Sequence, residues 1–232
     1  MITTWFIWIA LGLTLGLGGA LFWRYYWFFR NPERQAPTGE GLLSPADGKV
    51  VYVRKVGANE PVISIKKGQE ARIVDILKEN DADPKVIIGV FMSPFDVHYN
   101  RSPLTGVVQA ITHYPAEPKN LHMGAMHWRS LLNRLPLYHN SLHITQNERT
   151  VTRIKGMFKA TALTAYIIQI AAKSVRGIDV FIPVDGAVAR GAVFGMIRIG
   201  SQVDLVVPWR PDMEIRVVPG DRVRAGESVL IA

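Results

Sequence analysis

Cysteine is absent from the 232 residues. That excludes disulfides, thiolate zinc sites and cysteine nucleophiles together. Charge is missing from the start of the chain: no Asp, Glu, Lys or Arg precedes Arg24. A stretch of about 20 apolar residues is long enough to cross the hydrocarbon core as a helix. A basic start is missing too, since the chain opens Met1-Ile2-Thr3-Thr4, which argues against a cleaved signal peptide. The net charge of +8 draws the chain to polyanions. Yet zinc-finger spacing, a basic helix and an aromatic RNA-binding signature are all lacking, so the expected polyanion is an anionic membrane and no nucleic acid is expected.

The apolar start is followed by "RYYWFFRNPER", whose aromatic residues suit the water–lipid interface and whose Arg24, Arg30 and Arg34 set the orientation. Residues 1–34 are therefore read as a membrane anchor that spans the bilayer or lies in its interface. Residues 35–232 are placed on the cytoplasmic face of the cell membrane. Pro32 to Gly41 reads as a linker. In the whole chain glycine (20) and proline (14) are plentiful, as in β-rich proteins with many turns. Strands are expected over 48–56, 61–67, 85–92, 105–114, 142–156 and 161–175. Residues 125–140 read as a long irregular segment with a short helix, of the kind used as a substrate loop or a flap on lipid.

A repeat is visible near the C-terminus. "PVDGAVARGAVFGMI" (183–197) matches "VPGDRVRAGESVLI" (218–231), with Val188-x-x-Gly191 recurring 35 residues later as Val223-x-x-Gly226. It resembles the two halves of a lipoyl/biotinyl-type hammerhead, a quasi-twofold β-sandwich. The fold expected is mostly β, hammerhead-like, with the N-terminal membrane helix and few short helices. A carrier of that type bears a modified lysine between the halves, and this chain has none there.

Three stretches suit chemistry. "LLSPADGKV" (42–50) places Asp47 in a turn. "FMSPFDVHYNRSP" (91–103) places Asp96 and His98 two residues apart, on one face if the segment is extended. "GMIRIGSQVDLVVP" (195–208) sets Gly200-Ser201 between strand-like runs. A serine nucleophile needs a base, and histidine is the side chain most often used. The imidazole needs an orienting carboxylate, for which Asp47 and Asp96 are the candidates. The hydrolase elbow G-x-S-x-G is missing, and glycine directly before Ser201 leaves the Gly200 carbonyl open to attack by Ser201 itself. His139 and His143 have zinc spacing, but "HNSLH" lacks the glutamate of a zincin, and no metal is expected.

Together, "FFRNPER", "SPADGKV", "MSPFDVHYNRSP", "NER" (147–149) and "FGMIRIGSQVDLVVP" occur in the order found in the phosphatidylserine decarboxylase family, and the chain resembles its short form. The resemblance implies a proenzyme that cuts itself between Gly200 and Ser201. Ser201 would attack the Gly200 carbonyl to give an ester. β-Elimination would then release a β chain of 1–200 and leave an α chain of 201–232 headed by a pyruvoyl group made from Ser201. The ketone would form a Schiff base with the serine headgroup and act as electron sink while carbon dioxide leaves, yielding phosphatidylethanolamine. His98 is assigned proton handling in both stages, with Asp47 and Asp96 orienting it or balancing its charge. Many family members read His-x-x-His in the second motif. Here Arg101 stands in the second place; it cannot act as a base and is assigned to a substrate carboxylate or phosphate.

The implied partners are a phospholipid, the membrane, the two product chains for one another, and a second copy through exposed β edges. An archaetidylserine-type lipid would look the same from the sequence. A membrane-tethered hammerhead adaptor without enzymatic activity would leave the chain uncut. A lipid-directed serine hydrolase would keep a serine reactive toward a fluorophosphonate.

Overall fold

A computed structural model of the chain describes residues 2–57, 60–66, 69–78, 83–173, 177–198 and 200–232. The expected strand ends at Lys67 and at Ser174–Val175 lie outside the described residues, as does Ile199. The chain forms two compact units, Met1–Pro32 and Glu33–Ala232. The first is helix α1 (Ile2–Phe22), which runs into a π-helical turn over Trp23–Trp27. Its apolar stretch, Trp5–Trp27, has a mean hydropathy of 1.8 and is long enough to cross a membrane. Apolar residues surround the helix rather than forming one stripe, which suits a lipid environment on all sides.

The second unit is mostly β. In chain order it contains β1 (Leu42–Leu43), β2 (Gly48–Val56), β3 (Pro61–Lys66), β4 (Gln69–Arg72), α2 (Ile73–Leu77), β5 (Lys85–Met92), β6 (Tyr99–Arg101) and β7 (Gly106–Tyr114). It continues with α3 (Gly124–Leu131), α4 (His143–Gln146), β8 (Arg149–Phe158), β9 (Thr161–Ala171), β10 (Ile178–Val180), β11 (Ala187–Val188), β12 (Val193–Ile197), β13 (Ser201–Pro208), β14 (Arg222–Val223) and β15 (Val229–Ile231). Eight strands form one sheet in the order β11-β7-β8-β9-β13-β5-β2-β14. A three-stranded sheet, β10-β12-β6, lies just ahead of Gly200-Ser201, with β12 ending at Ile197.

Strands β2 and β5 run over the residues expected from their patterns. The expected strand 142–156 differs: its first part is helix α4, and β8 begins at Arg149. The reason lies in Asn147 and Arg149. Asn147 accepts from Leu121 N at 2.8 Å and donates to Leu121 O and Ala171 O. Buried Arg149 donates to the carbonyls of Asp75, Ile76, Ile144 and Asn147. One guanidinium thus satisfies backbone acceptors of α2 and α4, which holds 143–146 helical against its β-branched content.

β13 is central, and successive residues face opposite sides. Val203 and Leu205 join the cluster with Val90, Met92 and Phe194, while Val206 joins Ile87, Phe91 and Ile168. On the second face, Gln202 and Asp204 are buried in a polar network. Tyr52 Oη donates to Asp204 Oδ2 at 2.6 Å, and Gln202 Nε2 donates to Asp204 Oδ1 at 2.7 Å and to Tyr52 Oη at 2.8 Å. His143 Nε2 lies 3.3 Å from Gln202 Oε1.

The C-terminal repeat extends to a second pair of segments. Val223 pairs with Gly48, and Val188 pairs with Gly106. Ser44-Pro45 and Ser102-Pro103 lie in matching turns: Leu43 N donates to Pro103 O, and Arg101 N donates to Pro45 O. Gly226 N donates to Ser44 O and Gly191 N to Ser102 O. Gly191 and Gly226 both take positive φ (79° and 75°) and pack on one another, so a Cβ on Gly226 would approach Gly191 O at 3.1 Å. Only glycine meets both demands without strain.

The polar network generates a pH signature. Burial pushes the Asp204 carboxyl up to about 6, against hydrogen bonds from Tyr52 and Gln202. Burial pushes the His143 imidazole down to about 4. Between pH 4 and 6 the folded state holds a proton on Asp204 that the unfolded chain has lost, so this term lowers stability as pH rises. Over the same range the unfolded chain protonates His143 and the folded state does not, so that term raises it. The two oppose, so their joint contribution to stability is expected to change little from pH 4.5 to 6. In urea unfolding of the Ser201→Ala chain in detergent, His143→Gln is expected to make the midpoint fall over that interval. Asp204→Asn is expected to make it rise.

Candidate active site

Ser201 is the first residue of β13, and its side chain is fully buried. It sits opposite Met92 of β5 and Ala171 of β9. Its hydroxyl donates to Met92 Sδ at 3.3 Å. The sequence pattern suggested strands running on through the break. Instead β12 and β13 belong to different sheets, and the chain bends at Gly200, where φ is +57°. A side chain there would meet open space, so the glycine answers to backbone conformation and not to crowding.

The loop after β5 crosses the same gap. Met92 pairs with Ser201 at one end, and Tyr99 pairs with Met196 at the other. Between them, residues 94–96 form a turn. Asp96 Oδ2 accepts from Ser93 N at 2.8 Å, and Asp96 N donates to Ser93 O. The segment is thus not extended at Asp96, and Asp96 and His98 do not share a strand face. They meet through the backbone: His98 Nδ1 lies 2.9 Å from the Asp96 carbonyl oxygen. A carbonyl only accepts, so Nδ1 carries the proton and Nε2 is the acceptor nitrogen of the neutral ring. His98 is fully buried, and its own carbonyl receives Ile197 N, three residues before Gly200.

Asp47 lies in the turn before β2. Its Oδ1 accepts from Ala225 N at 2.7 Å and its Oδ2 from Arg34 Nη2 at 2.8 Å. Arg34 Nη1 donates to Glu227 Oε2 at 2.7 Å, so the arginine bridges two carboxylates. Residues 32–41 are irregular but tethered: Arg190 also donates to Gly41 O and Pro37 O. Burial raises the Asp47 pKa, and nearby Asp96 adds to the rise; Ala225 N–H and Arg34 oppose it. Arg101 donates to Gly191 O at 3.0 Å and shares the field of Arg34, Asp47 and Glu227. The structure therefore groups Asp47, Arg34, Arg101 and Glu227 as one charge cluster, with Asp96 in electrostatic reach. It groups Ser201 with Met92.

The sequence motifs assign no role to two buried residues linked to Ser201 through Met92. Asn100 Nδ2 donates to the same Met92 Sδ at 3.8 Å, and Gln169 Nε2 donates to Asn100 Oδ1 at 2.8 Å. Both are fully buried, and Gln169 Oε1 has no hydrogen-bond partner among the described residues. A buried, unpartnered acceptor is costly unless a further donor arrives. Asn100 had a legible signal, because His98 and Asn100 are two apart on a segment that is extended. Gln169 had none, being one polar residue within an apolar strand. A cavity of about 230 Å³ also opens at Gly200, walled by Phe91, Pro94, Met123, His122 and His127. The "NER" segment acts at one remove, since Asn147 ties Leu121, the neighbour of His122, to the end of β9. His143, one of the zinc-spaced pair, is committed to Gln202.

A ketone at residue 201 fits this environment. It would begin a strand paired along both edges, with a cavity at the residue before it, and the unpartnered Gln169 Oε1, an acceptor, suits an incoming amine rather than the ketone oxygen.

Comparison with known proteins follows the same line. The family model described as phosphatidylserine decarboxylase matches residues 21–231. A phosphatidylserine decarboxylase proenzyme of Symbiobacterium thermophilum is 34% identical over 227 residues, covering 97% of this chain and 85% of the relative. One from Amoebophilus asiaticus is 32% identical over 222 residues, covering 95% and 79%. A relative from Methanothermobacter thermautotrophicus, with archaetidylserine decarboxylase proenzyme in its name, is 33% identical over 209 residues, covering 88% and 78%.

The Arg34 bridge has a measurable consequence. Arg34→Met leaves two carboxylates without their shared cation and is expected to cost roughly 3 kcal/mol at pH 7. Without Arg34 the Asp47 carboxyl is pushed up further, so the deficit should shrink as pH falls toward the ordinary carboxylate range. Arg34→Met/Asp47→Asn should recover part of the loss. Urea midpoints of the three variants at pH 5 and pH 7.5 measure it.

Proposed function

Because the chain belongs to the phosphatidylserine decarboxylase family, we propose that it cuts itself between Gly200 and Ser201 and decarboxylates the serine headgroup of a phospholipid at the new terminus. The observation that carries this reading is the position of Ser201: a buried hydroxyl at the first residue of a doubly paired strand, directly after a glycine in the left-handed region.

The Gly200 carbonyl precedes the Ser201 hydroxyl across one peptide unit, and the bend at Gly200 leaves that carbonyl unobstructed by a side chain. His98 serves as the base that takes the hydroxyl proton, with Asp96 O fixing the tautomer that leaves Nε2 able to accept. Asp47, held above its ordinary pKa by burial, balances charge beside Arg101 and Arg34. The pyruvoyl group made from Ser201 supplies the electron sink that the protein's own side chains lack. Gln169 Oε1, the unpartnered acceptor of the Gln169–Asn100 pair, is available to the amine that the ketone receives. His98 then returns a proton to the carbon that loses carbon dioxide.

The N-terminal helix, in this reading, holds the β unit at the cytoplasmic face of the cell membrane, where the substrate resides. The serine headgroup is common to phosphatidylserine and archaetidylserine, so chemistry at residue 201 is the same for either backbone.

Mass spectrometry of the purified protein is expected to show two chains, 1–200 and 201–232, the second beginning with a ketone. The short chain should co-purify until denatured, because it contributes β13, β14 and β15 to sheets with the long one. Ser201→Ala should stay uncut and release no carbon dioxide from phosphatidylserine. His98→Asn should slow cleavage by roughly 100-fold or more. An intact wild-type chain with an ordinary serine at 201, or decarboxylation by Ser201→Ala, would overturn the proposal.

A further inference from the structure

A second cavity adjoins the one at Gly200. It measures about 350 Å³ and is walled by Lys49, Arg222, Ser93, Asp96 and Ser130, with Phe95 and Leu131 at its lip. His127 belongs to both cavities, and so does the 93–96 turn, which gives Pro94 to one and Ser93, Phe95 and Asp96 to the other.

The charges of this cavity are unusual. Lys49 and Arg222 are register partners on the antiparallel strands β2 and β14. Like charges directly opposite one another destabilise a strand pair. Burial, and then Arg222, pull the Lys49 ammonium below its ordinary pKa. Lys49 Nζ donates to the Ser130 carbonyl and to Asn133 Oδ1, neither of which bears charge. The anion nearest to hand is Asp96, whose Oδ1 lies 3.7 Å from Arg222 Nη1 while Oδ2 is committed to Ser93 N. Two cations against one carboxylate leave the cavity one positive charge in excess.

The lip is apolar. Phe95 and Leu131 are 64% and 65% exposed, and Trp128, Leu132 and Leu135 continue the exposed apolar surface along α3 and the segment after it. A cationic seat with an apolar lip matches an amphiphile with one negative charge next to its tails. A phosphodiester carries one such charge, and in a serine phospholipid it stands a few bonds from the amine and the carboxylate. His127 lines the boundary common to both cavities.

Resting on the decarboxylase reading above, we propose that the Lys49–Arg222 cavity seats the lipid phosphodiester, with Phe95 and Leu131 receiving the first part of the acyl chains while the serine end reaches past His127 toward residue 201. The seat reads the phosphate and the tails; the chemistry at residue 201 reads the headgroup.

The test uses the full-length Ser201→Ala chain in detergent, which needs neither cleavage nor turnover. Dihexanoyl phosphatidylserine, glycerophosphoserine and inorganic phosphate are titrated in turn by calorimetry. Lys49→Gln and Arg222→Gln are each expected to weaken dihexanoyl phosphatidylserine about tenfold or more, as loss of a hydrogen bond to a charged group does. Arg222 is exposed, so its variant guards against a folding defect at Lys49, and Lys49→Arg should restore binding. Phe95→Ser and Leu131→Ser should weaken the tailed lipid and leave glycerophosphoserine unchanged. In the wild-type background, the cation variants should raise KM for phosphatidylserine with self-cleavage intact. Unchanged binding and KM in the Lys49→Gln/Arg222→Gln double variant would overturn the inference while leaving the decarboxylase reading standing. So would inorganic phosphate binding as tightly as the lipid, which would mark a free-phosphate site. A Ser201→Ala chain that binds the lipid in this way, beside a wild type that neither cuts itself nor releases carbon dioxide, would overturn the decarboxylase reading alone.

Discussion

Strand β13 is hydrogen-bonded along both edges from its first residue, to β5 on one side and β9 on the other. Ser201 therefore has a fixed backbone position even though a bend directly precedes it. The rest of the site is arranged about this constraint. β5 ends at Met92, so the loop to β6 must leave the sheet beside Ser201, and that loop carries Asp96 and His98. β9 ends at Ala171, and the Asn147 bonds to Ala171 and Leu121 bring the segment with His122 and His127 to the same place. If the chain is cut before Ser201 as proposed, the double pairing would also keep 201–232 within the sheet, since ladder bonds and apolar burial on both faces do not depend on the peptide that precedes them.

Much of this was legible in the chain. The bounds of β2 and β5 follow from runs of apolar residues closed by turn residues, and the repeat at Val188 and Val223 marks matched positions in the sheet. The misreadings share a cause. Residues 142–156 look β-like locally, but Arg149 meets carbonyls of α2 more than seventy residues earlier. Asp96 looks like a strand neighbour of His98 until its carboxylate is seen closing a turn onto Ser93. Arg34 reads as the basic edge of a membrane segment, while its partners are Asp47 and Glu227, the latter 193 residues away. Local pattern reports periodicity; it does not report which distant group will accept a buried side chain's hydrogen bonds.

Two kinds of buried polar residue flank the proposed cut. On one face, Gln202, Asp204, Tyr52 and His143 satisfy one another, as a structural network should. On the other, Ser201 rests on a thioether, a weak acceptor, and Gln169 keeps an unused oxygen. The contrast across a single strand separates polar groups that hold the sheet together from groups with capacity left for a reaction.

The matched turns at Ser44-Pro45 and Ser102-Pro103 carry one difference of interest. In the first, Asp47 Oδ1 accepts from Ala225 N; in the second, Thr105 Oγ1 accepts from Arg190 N at 3.0 Å. The same backbone amide position is served by a carboxylate in one copy and by a neutral hydroxyl in the other. The architecture itself thus demands only an oxygen at that point. The negative charge on one side is not demanded by that amide; it is the part of the site that answers to Arg34, and the other turn is its uncharged control.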